Sequence, residues 1–230
     1  MNKDITVLIL TYRDQSGKVV APHIQWLKAS NPDVDIKLIV RDDLSDLRTD
    51  LPYAWRNGDE LLRFWWKQNK DKITTPVVVV LEYDVLVTVK LPSLPPGMDL
   101  AGARVVTPTT YSNWYWFHQT NEITKLDKLK IQDKYLTGII PFGGLIMKRE
   151  VLDSISKTKW DKAYTLDIFC ELRFPTIAII EKYKIGEIYL PNVNWAPKYR
   201  YSSKEINNFG IYHPGKETFT KNYEKISTNS

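Results

Sequence analysis

The sequence predicts an α/β fold, a Rossmann-type three-layer sandwich with a central, mostly parallel sheet. Apolar segments at 5–10, 36–41 and 77–81 have the length and composition of buried strands. Segments with helical spacing lie between them, so that strands and helices alternate up to about residue 90. Each of the three strands ends in polar residues, at the edge of the sheet where proteins of this class bind ligands.

The first half of the chain gives these elements in order. A helix with proline in its first turn is predicted where Pro22 precedes Leu27. A second helix is predicted after Asn57-Gly58-Asp59, because apolar residues recur at four-residue spacing within 61–66. The strand over 77–81 is apolar on both faces, which is typical of a central strand in a parallel sheet.

The second half is less regular. Alternating charges over 121–134 indicate a loop or a short helix, and two glycines lead into the strand that contains Leu145. The remaining elements are predicted strands over 101–107, 142–147 and 186–190, and predicted helices over 149–156, 163–173 and about 176–183.

The composition is that of a single globular domain, predicted over 1–226 with a disordered tail at 227–230. The net charge of +5 suits an anionic small molecule or a phosphate group better than nucleic acid. The single cysteine, Cys170, excludes a disulfide framework and a cysteine zinc site. No segment has the length of a membrane span or the pattern of a signal peptide, so we expect a cytoplasmic location.

Glu82-Tyr83-Asp84 follows the most apolar strand. In an extended chain Glu82 and Asp84 point to one side while Tyr83 points back into the fold. Two carboxylates at a strand end can hold Mg²⁺ or Mn²⁺, which prefer a few carboxylate oxygens together with water and phosphate oxygens. The alternative is that both acids are solvated charges at the end of a strand.

Several short motifs resemble, in their order and spacing, those of the GT-A nucleotide-sugar glycosyltransferases. The segment 77–84, Val-Val-Val-Val-Leu-Glu-Tyr-Asp, is similar to the DXD region of that fold in a Glu-x-Asp variant. Further matching segments are Thr11-Tyr12-Arg13, Asp42-Asp43-Leu44-Ser45, Asn57-Gly58-Asp59, Phe142-Gly143-Gly144 and Tyr212-His213-Pro214-Gly215-Lys216. The resemblance implies a GT-A-like domain with a nucleotide-binding half over about 1–90 and an acceptor and catalytic half over about 91–226.

The resemblance also implies a role for each matched position. Asp84 would bind Mn²⁺ or Mg²⁺, His213 would complete the metal shell, and Lys216 would neutralise the departing diphosphate. The donor, a UDP-sugar in preference to a GDP-sugar, would be bound by Thr11, Tyr12, Arg13, Asp42, Asp43, Arg56, Asn57, Glu82, Tyr83, Gly143, Gly144 and Lys216. The alternatives are packing for Tyr12, helix capping for Asn57 and a surface position for His213.

Two acids are candidates for the general base that an inverting transfer needs. Asp167 and Glu171 are four residues apart and would share one face of a helix over 163–173. Asp167 is preferred because it lies near the expected start of that helix, and Glu171 is the alternative base. In a purely structural role, Asp167 would cap the helix and Glu171 would pair with a nearby basic side chain.

The aromatic segment 111–118 lies between the acidic triplet and the paired glycines. Aromatic faces pack against the C–H faces of sugars, so Trp114 and Trp116 are predicted to bind a carbohydrate or other hydroxyl acceptor. The alternative is a satellite hydrophobic cluster, and we expect some of the rings to lie in the core.

The sequence therefore predicts a metal-dependent glycosyltransferase of the hexosyltransferase type that acts in glycan synthesis. A nucleotidyltransferase would also use a metal and carboxylates, but the glycine-rich basic loop typical of sugar nucleotidyltransferases is missing after the first strand. A nucleic-acid-binding module would use the aromatic segment as a stacking groove. That second alternative leaves the three polar strand ends unexplained.

Overall fold

The computed structural model of the chain describes residues 4–11, 19–43, 56–190 and 211–212. In these ranges the strands are β1 (Ile5–Thr11), β2 (Asp35–Val40), β3 (Val77–Glu82), β4 (Leu86–Val87), β5 (Leu100–Gly102), β6 (Arg104–Val106), β7 (Gly138–Ile140), β8 (Leu145–Lys148), β9 (Ile185–Glu187) and β10 (Ile211–Tyr212). The α-helices are α1 (Ala21–Ser30), α2 (Gly58–Asn69), α3 (Thr120–Lys128), α4 (Arg149–Ile155), α5 (Asp161–Thr165) and α6 (Cys170–Ile180).

Six strands form a central sheet in the order β2-β1-β3-β8-β5-β9. β1 is parallel to β2 and β3, β5 is parallel to β9, and β8 runs antiparallel to both β3 and β5. Five strands therefore share one direction, which confirms the predicted α/β class with a mostly parallel sheet. Because β8 is reversed, the residues that precede it lie at the same edge as the carboxyl ends of β1 and β3.

Alternate residues of the central strands pack on opposite faces of the sheet. Leu8 and Val80 belong to the core that α2, α4, α5 and α6 cover. Val7 and Val79 belong to a second core beneath α1. The sheet is thus enclosed between two helical layers, and its central strands are apolar on both faces as the sequence predicts.

Helix α2 begins at the carboxyl ends of the strands. Leu61, Leu62 and Trp66 anchor it in the core. Gly58 lets its first turn approach closely, since a Cβ atom there would lie 3.2 Å from the Phe142 ring. The start of α2 is therefore fixed beside β1 and the segment before β8.

The predicted strand over 101–107 is two strands in two sheets. β5 belongs to the central sheet, whereas β6 pairs with β7 in a separate antiparallel ribbon. A second ribbon pairs β4 with β10. An apolar pattern indicates an extended chain but does not identify its partner, so the change of sheet after Gly102 is not visible in the sequence.

The predicted helix over 163–173 is also divided. Helix α5 ends at Thr165 and α6 begins at Cys170 and continues past Pro175, which lies inside it. Phe169 is extended, and its amide donates to Oε2 of Glu122 at 2.9 Å. This contact from α3 overrides a local pattern that favours helix.

The other predicted elements lie within a few residues of the observed ones. α4 matches the predicted helix over 149–156, α3 occupies the first part of 121–134, and β9 the first part of 186–190. The predicted tail at 227–230 lies outside the described residues. Among the helices of the described ranges, none combines the length and the apolar character that crossing a membrane requires.

Candidate functional site

The carboxyl ends of β1 and β3 and the turn before β8 form what we call the carboxylate edge, made of Thr11, Glu82, Asp84, Gly143 and Gly144. Glu82 is the last residue of β3. The amide of Gly144 donates to the carbonyl of Val80 at 2.8 Å, which fixes the turn against β3. Thr11 is buried at the end of β1. The sheet thus brings together residues that are far apart in the chain.

Gly143 and Glu82 are in direct contact. A Cβ atom at Gly143 would lie 2.8 Å from Cγ and 2.9 Å from Oε2 of Glu82, closer than such atoms approach. Gly144 has a φ of +115°, in the region that favours glycine. Both glycines are therefore required by the shape of this turn.

The prediction that Glu82 and Asp84 point the same way on an extended chain is wrong. β3 ends at Glu82, and the amide of Val85 donates to the carbonyl of Glu82 at 3.0 Å, so that the chain turns. Asp84 lies within this turn and is only 7% exposed. Tyr83 is half-buried against the core beneath α1. At the carboxylate edge, Glu82 therefore lies at the end of a strand and Asp84 lies in the turn that follows it.

The described residues contain no cluster of three or more histidine, cysteine or acidic side chains that could hold a metal. Two carboxylates nevertheless suit Mg²⁺ or Mn²⁺, since such ions commonly take one or two carboxylates and complete their shell with water and substrate phosphate. The pairing of β10 with β4 places Tyr212 opposite Leu86, which is two residues after Asp84. Tyr212 directly precedes His213 in the chain.

Four predicted site residues lie outside the described residues: Tyr12, Arg13, His213 and Lys216. The side chain of Asp42 is likewise not described. Asp43 is exposed at the end of the 3-10 turn Arg41–Asp43 that follows β2.

An ion-pair network lies next to the carboxylate edge and consists of Arg56, Asn57, Asp59, Glu122, Asp167 and Arg173. At its centre Arg173 donates from Nε to Oδ2 of Asp59 at 2.8 Å and from Nη2 to Oδ1 at 2.5 Å. Both side chains are buried. This two-point geometry is the arrangement in which a buried guanidinium and a carboxylate satisfy each other.

Asn57 connects this buried pair to Asp167. Its Oδ1 accepts from Nη2 of Arg173 at 3.1 Å, and its Nδ2 donates to Oδ1 of Asp167 at 3.0 Å. A guanidinium can only donate, so the amide oxygen must face Arg173 and the amide nitrogen must face Asp167. Asn57 does precede the first turn of α2, but its side chain makes no capping hydrogen bond. The capping role considered for it is therefore wrong.

Asp167 lies in the segment between α5 and α6, not on a helix, so the prediction that it shares a helix face with Glu171 is wrong. Its side chain is 38% exposed. Burial raises the pKa of Asp167, but the hydrogen bond from Asn57 and the charges of Arg56, Lys125 and Arg173 outweigh it. The net pKa lies below the ordinary value for aspartate, so the carboxylate is ionised at neutral pH.

Arg56 joins Asp167 to an aromatic pair. Its Nη2 donates to Oε1 of Glu122 at 2.5 Å, and its Nε lies 3.6 Å from Oδ1 of Asp167. The guanidinium carbon lies 5.2 Å from the centre of the Trp116 ring. Trp116 in turn packs on Phe169 with 4.1 Å between ring centres. Arg56, Asn57, Asp167 and Trp116, predicted separately, therefore occupy one cluster.

Trp114 is a core residue. It is 7% exposed and belongs to a hydrophobic cluster with Leu126 and Ile168. A Cβ atom at Gly138 would lie 2.4 Å from the indole ring, so the ring occupies the space above this glycine. Burial leaves the indole without a face for an acceptor, in agreement with the expectation that some rings of the segment lie in the core.

Glu171 lies in the first turn of α6, where its Oε1 accepts from the amide of Phe142 at 3.1 Å. Burial raises the pKa of the Cys170 thiol, and the charges of Asp59, Glu171 and Glu82 raise it further. A Cβ atom at Gly58, between Asn57 and Asp59, would lie 3.2 Å from the ring of Phe142, which directly precedes Gly143. The ion-pair network and the carboxylate edge are therefore neighbours.

Sequence reasoning missed Asp59, Glu122 and Arg173 as site residues. Arg173 did carry a signal, since it is a single charge in an otherwise apolar stretch of α6. A charged residue at such a position is almost never buried without a partner. The identity of that partner has no local signal, because Asp59 lies 114 residues away in the chain.

Comparison with known proteins gives structural but not sequence matches. No protein-family model matches the chain. No curated protein matches its sequence. Structurally it is similar to an active-site mutant of LgtC, with a TM-score of 0.49, 10% identity and coverage of 97% of this chain and 95% of that one.

Two further structural matches are a glycosyltransferase and a xylosyltransferase. The glycosyltransferase GlyE of Streptococcus pneumoniae TIGR4 has a TM-score of 0.39 and 12% identity over 81% of this chain and 45% of that chain. Mouse xyloside xylosyltransferase 1 has a TM-score of 0.37 and 10% identity over 80% of this chain and 85% of that chain.

Proposed function

We propose that this chain is a glycosyltransferase that moves a sugar from a nucleotide-diphosphate donor to a hydroxyl group of an acceptor. The observation that carries this proposal is the contact between residues predicted for three different roles. Arg56 and Asn57 were predicted to bind the donor, Asp167 to accept the proton and Trp116 to bind the acceptor. Their cluster lies next to the carboxylate edge, where α/β proteins bind ligands.

In the proposed reaction the bond between the anomeric carbon and the diphosphate breaks, and the diphosphate leaves with the electron pair. The acceptor oxygen forms the new bond to that carbon from the opposite side, and its proton passes to Asp167. The lowered pKa keeps Asp167 ionised, in the form that can accept the proton. Glu171, next to the glycine turn, is the alternative base.

Asp84, with Glu82 and His213, would hold Mn²⁺ or Mg²⁺, and a bound ion would stabilise the negative charge of the diphosphate. Lys216 would add a positive charge for the leaving group. For the donor we propose a UDP-sugar in preference to a GDP-sugar.

A thermal-shift panel of UDP-, GDP- and dTDP-sugars, each with and without Mn²⁺, tests the proposal, because a ligand that binds only the folded state raises the melting temperature. We expect one nucleotide to raise it and Mn²⁺ to increase the shift. Asp84→Ala should abolish the Mn²⁺-dependent part of that shift.

Asp71→Ala is the matched control, since Asp71 is an exposed acid in the turn before β3, at the opposite edge of the sheet. A folded Asp84→Ala variant that keeps the full Mn²⁺-dependent shift would overturn the metal assignment. A salt-sensitive shift with an oligonucleotide, and none with any nucleotide sugar, would favour a nucleic-acid-binding module instead.

A further inference from the structure

The aromatic segment exposes two tyrosine rings to solvent, while Trp114 is buried and Trp116 is half-buried. Tyr115 is 60% exposed and Tyr111 is 43% exposed. In the described ranges the other large hydrophobic side chains exposed to this degree are Leu38 and Tyr189. We propose that Tyr115, with Tyr111 beside it in the same segment, is the surface on which the acceptor binds, and that the acceptor is an oligosaccharide. This inference rests on the proposed glycosyltransferase function.

The segment that carries these tyrosines is held by local hydrogen bonds and by one buried ring. The amide of Trp114 donates to the carbonyl of Tyr111 at 3.0 Å, and the amide of His118 donates to the carbonyl of Tyr115 at 3.1 Å. The imidazole of His118 forms a further short contact with the carbonyl of Ser112. Trp114, inserted above Gly138, anchors the segment in the core. A ligand that binds here does not have to order the loop, which lowers the entropic cost of binding.

A chain of contacts joins Tyr115 to the proposed base. The rings of Tyr115 and Trp116 meet edge to face with 4.8 Å between their centres. Arg56 lies 5.2 Å from the centre of the Trp116 ring and 3.6 Å from a carboxylate oxygen of Asp167. Phe169 packs on Trp116, so Tyr115 rather than Trp116 offers an open ring at this end of the network.

The chemistry of an exposed tyrosine selects the class of acceptor. Its ring packs on the C–H face of a pyranose, and its hydroxyl gives a directional hydrogen bond to a sugar hydroxyl. Contacts through Trp116 and Arg56 join this ring to Asp167. An oligosaccharide can place its reacting unit at Asp167 and rest a further unit on Tyr115. It is therefore the class of acceptor that uses both ends of this chain of contacts.

The test is a glycan array probed with the fluorescently labelled full chain. The variants are Tyr115→Ala, which removes the ring, and Tyr115→Phe, which keeps the ring and removes the hydroxyl. Leu38→Ala is the matched control, because Leu38 is an exposed apolar residue on β2. We expect the unmodified chain to bind oligosaccharides, and Tyr115→Ala to weaken this binding by about tenfold. Tyr115→Phe should retain most of the binding and Leu38→Ala all of it.

The nucleotide-sugar thermal shift, measured on the same variants, separates the two proposals. A donor shift that Tyr115→Ala retains, together with weakened glycan binding, supports both. A donor shift with glycan binding that Tyr115→Ala leaves unchanged overturns the role of Tyr115 and leaves the transferase standing. Glycan binding that depends on Tyr115, without any donor shift, overturns the transferase alone.

Two further outcomes overturn the inference. One is the absence of binding to any oligosaccharide on the array. The other is binding of an oligothymidylate that is lost in Tyr115→Ala while no glycan binds, which would assign the exposed ring to base stacking.

Discussion

The carboxylate edge and the ion-pair network are neighbours that the chain assembles in different ways. The edge collects residues at the ends of adjacent strands, so the backbone of the sheet positions Glu82 and the glycine turn. The network joins α2, α3, α6 and the segment before α6 through charged and amide side chains, one of which accepts from the backbone amide of Phe169. The edge therefore depends on topology and close approach, whereas the network depends on each charged partner being present.

The largest expected effect comes from breaking the buried pair of the network. Arg173→Met leaves the carboxylate of Asp59 buried without its guanidinium, and we expect the free energy of unfolding to fall by about 3–5 kcal/mol. Denaturant unfolding of the variant and the parent chain measures this. The double variant Asp59→Leu/Arg173→Met removes both charges and should recover much of the loss. If Arg173→Met were as stable as the parent chain, the backbone topology and not the ion pair would hold the network in place, as it does the carboxylate edge.

A smaller effect is expected at the carboxylate edge. Gly143→Ala places a methyl group against Glu82 and forces that side chain to move, at a cost of about 1–3 kcal/mol. Gly97→Ala is an informative control, because Gly97 has a φ of +77° but no atom within 4 Å of its added Cβ. It tests backbone strain without crowding.

Donor binding distinguishes these two glycine variants. Only Gly143→Ala should weaken the Mn²⁺-dependent shift with a nucleotide sugar. Equal loss of donor binding in both variants would argue against close contact as the function of Gly143.

The titration of Asp167 tests whether Asn57 links this carboxylate to the buried pair of the network. The lowered pKa of Asp167 contributes stability that is present above the pKa of the unfolded chain and lost as the pH falls through the folded pKa. Asn57→Ala removes the hydrogen bond, so the pKa of Asp167 should rise and its titration should move to higher pH. The carboxyl resonance of Asp167, followed by NMR against pH, measures this.

Asp99 serves as the internal reference in that titration. A hydrogen bond from Lys148 lowers the pKa of Asp99, far from Asn57 in the chain. Its midpoint should be identical in the parent and in Asn57→Ala. If Asp167 also keeps its midpoint, Asn57 does not determine its charge state.

The smallest effect is expected from Lys148→Ala, which removes the exposed pair with Asp99. Water and salt screen such a pair, so its loss should change the midpoint of denaturant unfolding far less than Arg173→Met does. Any difference should vanish at high salt. If Lys148→Ala lost as much stability as Arg173→Met does, and lost it equally at high salt, burial would not distinguish the Lys148–Asp99 pair from the Arg173–Asp59 pair.

The sequence predicts the residues of the edge better than those of the network. Strand ends follow from apolar patterns within a few residues, so Glu82 is recognised and placed at the edge. Gly143 is recognised through the family resemblance, but its place at the same edge depends on the reversed direction of β8, which the apolar pattern does not indicate. The sequence also identifies separately three residues of the network, Arg56, Asn57 and Asp167, and the neighbouring Trp116. It does not predict that they contact one another. The pair of Asp59 and Arg173 has no local pattern, since it depends on how α2 and α6 pack.

The same limit explains why the predictions for Asp84 and Asp167 failed. Glu82 and Asp84 lie at the end of an apolar strand, yet the chain turns after Glu82, where the amide of Val85 donates a hydrogen bond to the Glu82 carbonyl. Asp167 lies in a segment with a helical pattern, yet the helix is interrupted where the amide of Phe169 donates a hydrogen bond to the carboxylate of Glu122. In each case a backbone hydrogen bond whose partner the apolar pattern does not specify decided the local structure.

Trp114 and Gly138 fill one volume between them. The indole lies where any side chain at 138 would have to be, so neither position can change in size without the other. A smaller residue at 114 leaves a cavity, and a larger one at 138 displaces the ring that anchors the exposed tyrosines. In related chains the two positions should therefore covary, so that loss of the glycine accompanies loss of the indole and marks lineages in which the aromatic segment is rebuilt.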